Sequence, residues 1–367
     1  MSLAPTLEEL ATKRQQNQKQ PTGEPMPRTF TDDAQPTVED DTKHLDFSED
    51  TNISTHVFGV GGSGKVAAIR YSKTNHRKKP ITTIDTSGIT DEIDGVNSIR
   101  ISGLNGSGKM RANNIEPISN FIADFTSRVT FEPINVIIMS FSGGSGSVLG
   151  PLLVSEILRQ DKIAIIIGIV DTDSEVDTVN ALNSLRSIDN IVSDHKGYLP
   201  MMLFDNNKGR LVVDRGIDTV MSHLTEILDT PYIGLDVQDR IKFFNPNVFD
   251  GVSGGMKLLN LSKREDGEWE DIGLIIADQN YDKIDAALLI SNQDVHLTTT
   301  NRCAVTFRGY HRKDGARLAA TIGYQIPEAF IKGLNAGIHA FKNTATKKQT
   351  KITSEYDVGE KVGKLIL

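Results

Sequence analysis

The chain has 367 residues, a formal net charge of −8 and 38% hydrophobic residues. That length accommodates about two domains with a substantial core. No apolar run approaches a membrane span, and the acidic balance argues against a general nucleic-acid binder.

Met1 to about Asn52 is rich in Gln, Pro, Thr, Asp and Glu and poor in large apolar residues. Such a composition does not offset its ordering entropy, so this segment is expected to be a disordered extension or one ordered by a partner. It lacks the apolar centre of a signal peptide, and the single cysteine, Cys303, excludes an intramolecular disulfide. Both features fit a reducing cytoplasm. From there the elements alternate. Thr55–Val60 reads as a strand ending in Gly59-Val-Gly-Gly-Ser-Gly-Lys65, with a helix over Val66–Lys73. Pro80–Ile84 reads as a second strand, ending in Asp85-Thr-Ser87. Val96–Ile101 is a third, leading into Gly103-Leu-Asn-Gly-Ser-Gly-Lys109 and a helix over about Ile115–Ser127. The apolar strand Ile134–Phe141 breaks into Ser142-Gly-Gly-Ser-Gly-Ser147, and a helix follows over Val148–Leu158. A strand at Ile163–Val170, a helix near Thr178–Asp194, a strand at Pro200–Phe204 and a helix near Leu211–Leu228 continue the pattern.

Strands alternating with helices imply an α/β fold with a doubly wound parallel sheet, whose ligands sit at the carboxyl ends of the strands. All three glycine-rich turns fall there. A glycine turn at a helix N-terminus offers free backbone N–H groups and the positive end of the dipole, and lets an anion approach the backbone. One such turn is often just a tight connection, whereas three suggest a wrapped triphosphate. Gly59–Lys65 matches the start of a P-loop, but Val66 stands where a magnesium-binding Ser or Thr belongs. A dinucleotide fold is a second reading, with Asp85 on the ribose; it leaves the other glycine turns unexplained.

Taken in order, these segments resemble the tubulin/FtsZ superfamily, and within it the plasmid- and phage-encoded GTPases related to TubZ. The resemblance runs over about Thr55–Asp239 and implies GTP or GDP with Mg2+. The family's first phosphate loop, G-x-G-G-x-G, stands here as Gly59–Gly64, which would set Gly61, Gly62 and Ser63 on the phosphates. The loop that faces the γ-phosphate corresponds to Gly103–Gly108, with Gly106, Ser107 and Gly108 as contacts. The signature G-G-G-T-G-S/T-G corresponds to Ser142–Val148, which assigns Gly143, Gly144, Ser145, Gly146 and Ser147 to phosphate. Ser142 replaces the first glycine, Ser145 the threonine and Val148 the last glycine. Lys65, unusual for the family, would either add a cation near the β- or γ-phosphate or lie solvated on the first helical turn. The ribose loop falls at Asp171–Glu175, with Asp173 and Glu175 accepting from the hydroxyls. Asn206 would read guanine, since an amide both donates and accepts on one base edge. Asp214 on the long core helix, chosen over Asp218, would add the acid the family carries there.

Gly234-Leu-Asp-Val-Gln-Asp239 stands where the family has N-x-D-x-x-D, a loop that reaches the nucleotide of the next subunit in a head-to-tail filament. Asp236 and Asp239 are spaced to share one face of an opening helical turn, where both carboxylates can act on one water. Beyond them, Ile272–Ala277, Ala286–Ser291 and Arg302–Phe307 read as strands, Pro327–Phe341 as a helix and Val252–Gly255 as a structural glycine turn. The expected organisation is an extension (1–52), a GTP-binding domain (53–210), a core helix (211–232), a smaller α+β activation-type domain (233–341) and a tail (342–367). The resemblance implies a GTPase that polymerises in the host cytoplasm to position or segregate phage or plasmid DNA. No membrane or direct nucleic-acid contact is expected, and the tails would meet a DNA-binding adaptor or another phage or plasmid protein. The alternative is a nucleotide-binding structural or assembly protein with weak hydrolysis, favoured by Val148 and Gly234.

Overall fold

The computed structural model describes residues 53–76, 78–87, 93–195, 198–245, 252–261, 269–271, 284–290, 303–310, 318–324 and 326–356. The extension over Met1–Asn52, the strand expected at Ile272–Ala277 and the apolar end Val358–Leu367 lie outside these residues.

Strand β1 (Thr55–Val60) runs straight into α1 (Gly61–Ser72), followed by β2 (Ile81–Asp85) and β3 (Val96–Arg100). Then come α2 (Arg111–Arg128), β4 (Ile134–Ser140), α3 (Gly146–Arg159), β5 (Ile163–Val170), α4 (Glu175–His195) and β6 (Tyr198–Asp205). These strands lie in the order β6-β5-β4-β1-β2-β3, and every pairing among them is parallel. Central strands β4 and β5 are buried on both faces, which is why they read as unbroken apolar runs. Their side chains alternate between two cores. Val136, Ile138, Ile165 and Ile167 pack on one side with Ala67, Ala68 and Tyr71 of α1. Ile137, Met139 and Ile166 pack on the other with Ile118 and Ile122 of α2, Leu149 and Leu153 of α3 and Leu185 of α4.

The first helix begins at Gly61, not at Val66 as expected. Glycine disfavours helix on propensity alone, but here the tertiary contact demands it. A Cβ on Gly64 would collide with the Ile138 carbonyl oxygen, and one on Gly59 would lie 2.5 Å from the Gly64 oxygen. The glycine turn is therefore the first turn of α1, pressed onto β4.

After a 3-10 turn (Asn206–Lys208), the core helix α5 (Arg210–Asp229) lays Val213, Ile217, Val220 and Leu224 against the first core. Helix α6 (Val237–Phe244), β7 (Val252–Leu261), β8 (Trp269–Asp271), β9 (Ile284–Ile290), β10 (Cys303–Gly309), β11 (Leu318–Tyr324) and α7 (Glu328–Tyr356) complete the chain. The sheet continues from β6 through β7, β11 and β9 to β10, with β11 antiparallel to both of its neighbours. This is the expected architecture: a doubly wound parallel sheet, a long core helix and a smaller α+β part. Two details differ. Val252–Gly255, expected as a turn, opens β7, where Gly254 and Gly255 pair with Pro200 and Met201 of β6. The last helix does not stop at Phe341 but runs to Tyr356, and it packs against α4 with Leu334 buried between them. Among the described residues no helix is long and apolar enough to cross a membrane.

Candidate functional site

Strands β1 and β4 are neighbours, so α1 and α3 start side by side at the carboxyl edge of the sheet. Gly61 takes φ +70°, and a Cβ there would stand 2.7 Å from the Gly146 nitrogen. The two helix N-termini thus abut, glycine to glycine. Neither has a side-chain cap or an acidic residue in its first turn. Uncapped N–H groups and two positive dipole ends converge on one spot, which suits a multiply charged anion. A Cβ on Gly62 would meet nothing within 4 Å, so the cradle has an open side.

The third glycine loop closes over this pair. Gly103, Gly106, Gly108 and Lys109 all take positive φ. The Gly106 N–H donates to the Thr86 carbonyl at 2.9 Å, and Gly144 lies so close to Ser107 that a Cβ would overlap its side chain. Ser145 Oγ and Thr86 Oγ1 are 2.6 Å apart. The structure therefore brings Gly61, Gly62, Ser63, Gly106, Ser107, Gly108 and Gly143 to Ser147 to one edge.

Side chains lock this edge to the loop after β5. Ser142 Oγ donates to the Asp171 carbonyl at 2.6 Å and accepts the Asp171 N–H at 2.8 Å, so the residue that replaces the family's first glycine is a tie. Asn180 of α4 donates to the carbonyls of Lys109 and Ser142. Lys109 Nζ bonds Asp177 at 2.9 Å, a hydrogen bond that raises its pKa, with Asp171 and Asp173 adding their fields. Asn206 Nδ2 donates to Asp171 at 3.2 Å, which orients the amide, and the Asp173 N–H also bonds Asp171. Asp173 is exposed; Glu175, in the first turn of α4, lines a cavity of about 370 Å³ with Lys109, Met110 and Arg111.

Other expected residues stand differently. Lys65 is only 8% exposed, so the solvated reading fails. Asp85 spends its carboxylate on the Thr86 N–H and the Ser87 hydroxyl, which shapes the turn after β2 rather than freeing an acid for ribose. Asp214 is held by Arg70 of α1 at 3.0 Å, and Arg70 also grips Asp218. Neither acid of that pair is a free base-reading group; both serve the packing of α1 on α5. Val148 is buried in the second core and does not lie over the cradle. Among the described residues no group of three or more His, Cys, Asp or Glu side chains is arranged to hold a metal ion.

Asp236 and Asp239 lie past the far end of α5. That helix has 20 residues, so at 1.5 Å per residue the acids stand about 30 Å from the Asn206 turn. Asp236 is the N-cap of α6, its Oδ1 accepting the Asp239 N–H at 2.7 Å, and Asp239 keeps its own carboxylate clear of that bond. Gly234 takes φ +77°, a conformation that asparagine tolerates better than other side chains, so its exchange for the family's asparagine preserves the backbone. Sequence reasoning missed three residues here: Thr86, Asn180 and the buried Arg240. Only a hydroxyl and an amide in an otherwise helical or loop context mark the first two.

No family model matches the chain. The phage tubulin-like protein of Pseudomonas phage phiKZ is 27% identical over 136 residues, which is 36% of this chain and 42% of that relative. The match thus spans less than half the length of the curated relative. A protofilament structure of TubZ from bacteriophage PhiKZ superposes with a TM-score of 0.67 at 20% identity, covering 86% of this chain and 96% of that one. The chain has the tubulin/FtsZ fold of the TubZ-like proteins. A structure of the phage tubulin PhuZ with GDP gives a TM-score of 0.68 at 14% identity, over 86% of this chain and 96% of that one. In tubulin-like terms, the three glycine loops, the loop after β5 and the Asn206 turn occupy one end of the core helix, and the acid pair occupies the other.

Proposed function

We propose that this chain is a GTPase that polymerises head to tail and hydrolyses GTP where two subunits meet. The observation that carries this reading is the contact between two uncapped glycine helix starts, roofed by a third glycine loop. Their N–H groups would bind the β- and γ-phosphates and neutralise charge that develops during phosphoryl transfer. Asp173 and Glu175 would accept from the ribose hydroxyls, and Asn206, oriented by Asp171, would read the base. Mg2+ would accompany the nucleotide and add to the neutralisation of phosphate charge.

The acid pair is too far from its own subunit's cradle to act there. Translation of one subunit along α5 would bring Asp239 to the next subunit's phosphates, where it would polarise the attacking water. Asp236 would hold the turn that presents it. The PhiKZ protofilament and GDP-bound PhuZ support both self-assembly and a guanine nucleotide. The filament would act in the host cytoplasm to position or segregate phage or plasmid DNA, with an adaptor joining its tails to the cargo. Two measurements test the reading. Turnover of GTP should rise more steeply than linearly with protein concentration, and electron microscopy should show filaments with GTP that GDP does not support. Turnover strictly proportional to protein would refute shared active centres.

A further inference from the structure

Arg240 is 1% exposed and belongs to none of the groups assigned above. Its Nη1 donates to the carbonyls of Leu228 at 2.8 Å and of Ile227 and Thr230 at 3.3 Å. These lie at the end of α5, where the last carbonyls have no partner within the helix. Its Nε reaches the Asp236 carbonyl at 3.4 Å, and its own N–H bonds the same oxygen at 3.3 Å. Asp236 in turn accepts the Asp239 N–H. One guanidinium therefore joins the end of the core helix to the first acid, and that acid holds the second.

Burying a guanidinium is costly, and burial pushes its pKa down, with Tyr232, Asp229 and Asp236 pulling the other way. An apolar residue there would leave the last carbonyls of α5 without a donor, so the arginine stabilises the junction as well as shaping it. What an apolar residue lacks is a fixed fork of donors, which holds several carbonyls at set positions. Helix α5 begins next to the Asn206 turn, whose carbonyl accepts the Gly209 N–H at 3.0 Å. A shift of that turn on nucleotide binding would travel down α5 as a rigid body.

We propose that Arg240 is a positioning residue that carries the setting of α5 into the Asp236–Asp239 pair. This rests on the reading of the acid pair given above. The test is amide hydrogen exchange on the full chain, kept below its assembly concentration, with and without GTP. In the parent protein, nucleotide should slow exchange at 142–147 and also at 232–239. In Arg240→Met and Arg240→Lys the first effect should persist while the second falls by about tenfold. Turnover per assembled subunit should fall by about tenfold in both, with KM for GTP nearly unchanged. Protection of 232–239 that survives in either folded variant overturns the proposal. So does a parent protein in which 142–147 responds and 232–239 does not. A parent in which neither segment responds refutes the GTP reading and this role together. Arg240→Lys keeps a cation facing the helix end, so it supplies the comparison if Arg240→Met does not fold.

Discussion

Two neighbouring glycines should respond in opposite ways to the same added methyl group. Gly61 takes φ +70°, where an L side chain costs ~1–2 kcal/mol. Its Cβ would also stand 2.7 Å from the nitrogen and 2.9 Å from the Cα of Gly146, which are backbone atoms at the start of α3 and cannot swing aside. Overpacking of that kind costs ~1–3 kcal/mol. Gly61→Ala should therefore lose about 2–5 kcal/mol, a large share of the roughly 5–15 kcal/mol that holds a domain. Gly62 has ordinary φ and no neighbour within 4 Å of its Cβ. Gly62→Ala should match the parent or gain up to about 1 kcal/mol, because alanine favours the helix. The same methyl stands beside the cradle, so GTP should protect this variant less than the parent. Urea unfolding with and without GTP measures both quantities. The cradle geometry is wrong if Gly61→Ala unfolds with the parent, or if Gly62→Ala is destabilised yet keeps full protection by GTP.

Asp239→Asn should abolish turnover while leaving the urea midpoint unchanged, whereas Asp236→Ala should also lose about 1 kcal/mol as an N-cap. Equal loss of stability in the two variants would contradict the assigned roles. Val148→Gly, which restores the family's residue, should cost about 3 kcal/mol by emptying a core position and placing glycine in a helix. It should not speed GTP turnover; faster turnover would show that Val148 does crowd the phosphates. His56, half-buried and stacked on Phe58, is held down to about 4 by burial, against a smaller opposing pull from Glu132. The unfolded chain therefore binds the extra proton between about pH 4 and 6.5, and stability that is full above that window should fall as pH drops through it. The loss is of order 3 kcal/mol. A His56→Gln variant should show a flatter profile, and an unchanged profile would remove His56 from the account.

Much of the architecture was legible in residue order. The continuous apolar run Ile163–Val170 read as a buried parallel strand, and its limits match the structure. Glycine turns at three strand ends marked the edge where the site lies, because backbone that must approach an anion excludes side chains. Helix starts were the common error: α1, α2 and α3 each begin earlier than propensity suggests. Gly61, Gly62, Gly64 and Gly146 are poor helix formers locally, and it is contact with α3 and β4 that makes glycine necessary at Gly61 and Gly64.

Side-chain roles were less legible, since a carboxylate or lysine looks the same in sequence whether it meets a ligand or a neighbour. Asp214 and Asp85 have the residue type and spacing of ligand groups, yet Arg70 and the Thr86–Ser87 turn claim them. Those partners are remote or conformational, and no periodicity reports them. The sequence by itself determined the layered fold, the strand ends that carry the glycine loops and the pair of acids beyond the core helix. Only the tertiary structure decided that two helix starts abut, that Ser142 and Asn180 tie the loops together and that Arg240 grips the end of α5. The physical reason is range: backbone preference and apolar patterning act over a few residues, whereas these contacts join residues 10 to 71 positions apart or more.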